Sequence, residues 1–215
     1  MSRTVDRALR FSDRELRDLA VAWVALGVAF AVFFAGGGGG LLTLLSQGGL
    51  VAAVVVSLLT AGIGFLLHEL AHKVAAVRFG QVAEFRADYG MLFLAVMSAL
   101  AGFIFAAPGA VYHRGVLSDR EHGLIALAGP AANIGLSLLF LPILVVGGLV
   151  GSGFVELLGA RGLAINLFLA AFNMIPFGSL DGRTVLDWST PVFLAVFVPS
   201  LVVAIVVVFV FGVGF

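Results

Sequence analysis

The chain has no cysteine. Disulfides, thiolate metal sites and cysteine nucleophiles are therefore excluded. Charge is also scarce. Asp, Glu, Lys and Arg make up 11% of the 215 residues, where a soluble domain carries about 25%. The 12 basic and 12 acidic residues cancel. Nucleic-acid binding has no basic excess to rest on, and disorder has no polarity to rest on. What is abundant is apolar surface: 61% of residues are hydrophobic and the mean hydropathy is +1.17. A water-soluble globule of 22.3 kDa could not bury that much. The composition predicts an all-α polytopic membrane protein.

Residues 1–18 are the one long polar stretch, with Arg3, Arg7, Arg10, Arg14 and Arg17 beside four acids. Ser12-x-x-Glu15 has the spacing of a capping box, so a helix is expected to start there and run into the bilayer. No small-residue cleavage site follows, and this is read as a retained first span. Apolar segments follow at about 19–35, 50–79, 91–107, 123–150, 161–178 and 191–213. Gly36 to Gly40, with Gln47-Gly48-Gly49, reads as a flexible connection. Residues 151–160 read as a short turn. The whole chain, 1–215, is expected to be one domain. Residues 81–88 and 109–114 are strand-like and flank 91–107, which is short and ends in Ala107-Pro108-Gly109.

Chemistry concentrates at His68-Glu69-Leu70-Ala71-His72, near the end of the second span. Positions i and i+4 share a helix face, so both imidazoles reach one metal ion. Glu69 stands about 100° round, where its carboxylate meets a water on that metal. The bland alternative is an interfacial histidine pair with Glu69 paired to Lys73 at i+4. A catalytic zinc needs a third protein ligand. His113 and His122, beside charged loop residues, read as solvated interfacial histidines. Glu84, Glu121 and Glu156 sit in no comparable motif. Asp181 closes Asn173-Met174-Ile175-Pro176-Phe177-Gly178-Ser179-Leu180-Asp181-Gly182, whose proline and glycines break the helix. It is either the third ligand or an ordinary turn aspartate. Broken backbone at membrane depth is tolerated where it lines an enclosed cavity.

HELAH followed by N-x-x-P-x-x-x-x-D-G resembles the site-2 protease family of intramembrane zinc metalloproteases. Ala128-Gly129-Pro130-Ala131-Ala132-Asn133 between them looks like the family's glycine-proline helix. The resemblance covers a core of about 50–187. It implies five to six transmembrane helices around one buried Zn2+ per chain, with a small strand-like or re-entrant element. It also implies His68, His72 and Asp181 as ligands and Glu69 as catalytic base. Asn173 and Asn133 would hold the substrate backbone or the oxyanion. The implied substrate is a transmembrane segment of another protein, cut within or near the lipid bilayer. A catalytically silent scaffold and a metal transporter are the rival readings.

Such a ligand set constrains topology. His72 and Asp181 must share one depth, so their spans run in the same direction. Segment 123–150 runs opposite to 161–178, so 91–107 cannot be a full crossing. Charge agrees. With the N-terminus cytoplasmic and 91–107 re-entrant, only Arg161 of the twelve basic residues lies outside. A full crossing gives nine to three. The positive-inside rule favours the first arrangement. The expectation is a multi-pass cell-membrane protein with five spans, and with residues 1–18 and the active-site opening in the cytoplasm. Gly129, Ala131 and Ala132 are expected to let their helix approach the second span closely.

Overall fold

The computed structural model describes residues 9–214. Residues 1–8, with Arg3 and Arg7 of the expected cytoplasmic segment, lie outside the described residues, as does Phe215. Nine α-helices run in chain order among them: α1 Asp13–Phe34, α2 Gly37–Gln47, α3 Leu50–Ser57, α4 Ile63–Arg78, α5 Tyr89–Leu100, α6 Asp119–Val150, α7 Gly153–Asn173, α8 Asp181–Trp188 and α9 Thr190–Ile205. A π-helical turn, Leu58–Gly62, joins α3 to α4 without a break. Strands β1 (Val82–Ala87) and β2 (Gly109–Arg114) form the only sheet among the described residues. Five helical stretches are long and apolar enough to cross a membrane: Asp13–Phe34, Leu50–Arg78, Asp119–Val150, Gly153–Asn173 and Thr190–Val210. The chain is a helical membrane protein, as its composition predicts.

Segment 91–107 contributes no sixth span. Its helix, α5, has 12 residues, about 18 Å, against a hydrocarbon core of roughly 30 Å. Asp88 caps it by accepting from the Met91 N–H. β1 and β2 are antiparallel, with Val82 opposite Arg114 and Ala87 opposite Gly109. The chain that leaves at Ala87 thus returns to the same place at Gly109. α5 packs on α1 through Leu92, Ala95 and Ala99 against Leu19, Ala22 and Val32.

Three boundaries differ from expectation. The stretch 37–47 is helical, with its glycines in left-handed φ at the ends, Gly36 at 90° and Gly48 at 74°. The intervening leucines are good helix formers, and Leu41 packs on the α1–α5 core. Residues 153–160 belong to α7, so the connection from α6 takes only Gly151 and Ser152. Gly159 explains the tight hairpin. A Cβ there would stand 2.2 Å from the Leu144 nitrogen, so the two backbones touch. The Ser12 cap is half a capping box. Ser12 accepts from the Glu15 N–H at 3.1 Å, but the Glu15 carboxylate goes elsewhere.

That carboxylate ties the first helix to the second span. Glu15 and Lys73 form an ion pair, Nζ to Oε2 at 2.5 Å, with both side chains 1% exposed. Lys73 also donates to the Arg10 carbonyl and stands over the Phe11 ring. Glu15 Oε1 accepts from the Phe85 N–H, and Asp18 accepts from the Ala87 N–H and the Tyr89 hydroxyl. Two carboxylates of α1 therefore occupy the outer edge of β1.

Candidate metal centre

α4 presents His68 and His72 on one face, where their rings meet edge to face with centroids 4.6 Å apart. Asp181 arrives from the other end of the fold as the first residue of α8. It follows the loop 174–180, which turns through Gly178 at φ 61°. Gly182 lets α8 begin hard against the end of α7: a Cβ there would lie 2.0 Å from the Met174 oxygen. His68 Nε2 and His72 Nε2 are 3.0 Å apart, and each lies 3.2 or 3.3 Å from Asp181 Oδ2.

The hydrogen bonds behind the ring nitrogens settle which atoms carry protons. Asn166 donates through Nδ2 to the Gly162 carbonyl at 2.8 Å, so its Oδ1 accepts. That Oδ1 takes a hydrogen bond from Asn133 Nδ2 at 2.9 Å. Asn133 Nδ2 also donates to the Gly64 carbonyl at 3.1 Å. Its Oδ1 is thereby left as acceptor for His68 Nδ1–H at 2.6 Å. His72 Nδ1–H donates to the Ile125 carbonyl at 2.8 Å. With Nδ1 carrying the proton, each ring in its neutral form turns the Nε2 lone pair toward Asp181.

This arrangement fits a metal ion. With neutral rings, three lone-pair atoms face one another at 3.0–3.3 Å, an arrangement that a cation between them stabilises. Asp181 Oδ2 is buried, and no N–H or O–H among the described residues donates to it. Ligands about 2.0–2.1 Å from a tetrahedral zinc stand about 3.3 Å apart, close to the observed triangle. It is the one group of three or more His, Cys, Asp or Glu among the described residues that could hold a metal ion.

The other expected site residues fall differently. Glu69 is buried and within electrostatic reach of His68, His72 and Asp181. It is not paired with Lys73, whose partner is Glu15. Asn133 is fully buried, with both amide hydrogens engaged and its oxygen accepting from His68 Nδ1, so it orients His68. Asn173 spends one N–H on the Leu169 carbonyl at 2.9 Å. Gly129 touches the centre itself. A Cβ there would sit 2.4 Å from His72 Nε2 and 2.6 Å from His68 Nε2, so only glycine brings α6 this close. Ala131, expected in the same contact, is exposed. Asn166, an amide inside an apolar span, supports the centre through an interhelical hydrogen bond with Asn133, 33 residues away in sequence.

Two curated proteins match the chain. Putative zinc metalloprotease MJ0611 of Methanocaldococcus jannaschii is 34% identical over 194 residues, covering 89% of this chain and 93% of that protein. Putative zinc metalloprotease YwhC of Bacillus subtilis is 28% identical over 155 residues, covering 62% of this chain and 68% of that protein. No family model and no solved structure matches.

Proposed function

The chain belongs to the zinc metalloprotease family of these archaeal and bacterial relatives, and from that premise we propose that it is an intramembrane endopeptidase of the site-2 protease kind. The observation that carries the reading is the triangle of His68, His72 and Asp181 lone pairs beside the buried Glu69, on a helix long enough to span a bilayer.

His68 and His72 would hold the zinc through Nε2 and Asp181 through Oδ2. Bound there, zinc would supply Lewis-acid chemistry, the acidification of a water and the polarisation of a carbonyl. Glu69 takes the proton of the attacking water and returns it to the leaving amine, the two-way proton transfer of a general base turned acid. Asn173 keeps one N–H and its oxygen for the substrate backbone. Asn133 and Asn166 hold the His68 ring in the tautomer that leaves Nε2 free.

The substrate is a transmembrane segment of another protein. A helical segment hides its carbonyls in its own hydrogen bonds, so it must open into a strand before water attacks. The sheet is the natural partner for that strand. The outer edge of β1 is already filled, since Phe85 and Ala87 donate to Glu15 and Asp18. In antiparallel register this leaves the N–H groups of Val111 and His113 on the outer edge of β2. The β1–α5–β2 excursion is re-entrant, the protein resides in the cell membrane, and both its N-terminus and the opening of the site face the cytoplasm. The catalytic core is about 50–187 within a single domain.

The test is cleavage of a reconstituted single-span substrate by wild type, Glu69→Gln and Val111→Pro. Cleavage lost in Glu69→Gln with zinc retained supports the proteolytic reading. Full cleavage in that variant would end it. Undiminished cleavage by Val111→Pro would remove strand addition from it.

A further inference from the structure

The centre uses two of the four histidines. The other two also come together. His113 lies on β2 and His122 near the start of α6, with ring centroids 5.4 Å apart and planes inclined at 57°. Two imidazoles bound to one tetrahedral ion place their ring centres about 5 Å apart, given metal–nitrogen distances of about 2.0–2.1 Å. Neither ring is hydrogen-bonded to a described residue, so the ring nitrogens are not committed elsewhere.

His113 shares its sheet face with Ala83, its partner across the register, while Arg114 alternates to the opposite face. The first turn of α6 carries Asp119, Arg120 and Glu121, with Glu121 engaged by Ser118, so it adds no strong charge of either sign. Burial first, then the neighbouring His122, holds the His113 imidazole below the usual histidine range. The ring is therefore in its neutral, metal-binding form near pH 7. Both backbones are fixed before any ion arrives: β2 by its pairing with β1, and the start of α6 by the reciprocal Ser118–Glu121 cap. His113 is half-buried and His122 exposed, which leaves the remaining coordination positions to water.

We propose that His113 and His122 form a second binding site for one imidazole-seeking transition-metal ion, of the zinc, nickel or copper class. With two protein ligands it binds more weakly than the three-ligand centre and exchanges freely with solvent. It does not depend on the proteolytic reading.

The experiment is calorimetric titration of ZnCl2 into the untagged full chain in detergent, with the His68–His72–Asp181 centre already loaded. Wild type is expected to take one further equivalent. His113→Ala and His122→Ala are each expected to lose it while keeping the first zinc and the wild-type melting temperature. No further equivalent in wild type, or one that survives both substitutions at unchanged affinity, overturns the proposal. Copper added to the loaded wild type provides a test that needs no variant. Nitrogen couplings in its electron paramagnetic resonance spectrum, with the first zinc still bound by metal analysis, support the site, and an oxygen-only signature overturns it. Because the centre stays loaded throughout, failure here leaves the protease proposal standing.

Discussion

Asn133 Oδ1 accepts from His68 Nδ1–H at 2.6 Å, and this bond is the last step of a relay that starts at the Gly162 carbonyl and passes through Asn166. The relay links the backbone of α7 to the tautomer of a ring on α4. Outer partners of metal-ligating histidines are typically worth 10–100-fold in affinity. Asn133→Ala should weaken zinc binding by about that factor, measured by competition with a chelator of known affinity. Asn166→Leu should weaken it less, because Gly64 still orients Asn133.

Removing a ligand and removing the base should separate cleanly. Asp181→Ala leaves two imidazoles, and the purified protein should lose most of its zinc. Glu69→Gln leaves all three ligands, so zinc content should be unchanged. Peptide hydrolysis should fall by roughly 10²–10⁴, the usual contribution of a positioned proton carrier. Metal analysis of the two variants side by side, with a hydrolysis assay of the second, reads both outcomes.

Gly129→Ala forces a methyl into the imidazole rings of His68 and His72. The rings cannot retreat while Asn133 and the Ile125 carbonyl hold their far nitrogens, so α4 and α6 must separate. The expected result is zinc loss together with a destabilisation of about 1–3 kcal/mol from overpacking, seen as a lower melting temperature in detergent.

Lys73→Met strands the Glu15 carboxylate in a dry interface. Breaking a buried pair from one side typically costs about 3–5 kcal/mol, because the remaining charge has no partner. The double variant Glu15→Gln with Lys73→Met should recover much of that loss, since the neutral amide oxygen can still accept from the Phe85 N–H. Thermal melts of the two single variants and the double form the required cycle.

The two histidines of the centre and Glu69 were legible because their relation is local: i and i+4 on a helix fix it without the rest of the fold. The five spans were legible because length and hydropathy decide them. Asp181 needed its motif, since nothing near it in sequence says that it meets α4. The start of α7 is hidden because Gly151, Gly153 and Gly159 look like loop punctuation. At Gly159 the glycine is instead the contact that packs α7 on α6. Lys73 offered a local partner in Glu69 and took a distant one in Glu15, 58 residues back. Pattern reading has no access to that choice, which depends on where α1 docks.

The π-helical turn at Leu58–Gly62 sets the phase of the second span. One residue more than an α-turn is wound into it, equivalent to about 100° of rotation. Trp23 Nε1–H donates to the Leu58 carbonyl and holds the turn in place from α1. The first half of the span and the half bearing His68 therefore aim different faces at their neighbours. Deleting one residue within 58–62 would restore an unbroken α-helix of nearly the same length and hydropathy. It would also swing the metal-binding face away from α6, giving a protein that still crosses the bilayer normally but has its histidines pointing the wrong way.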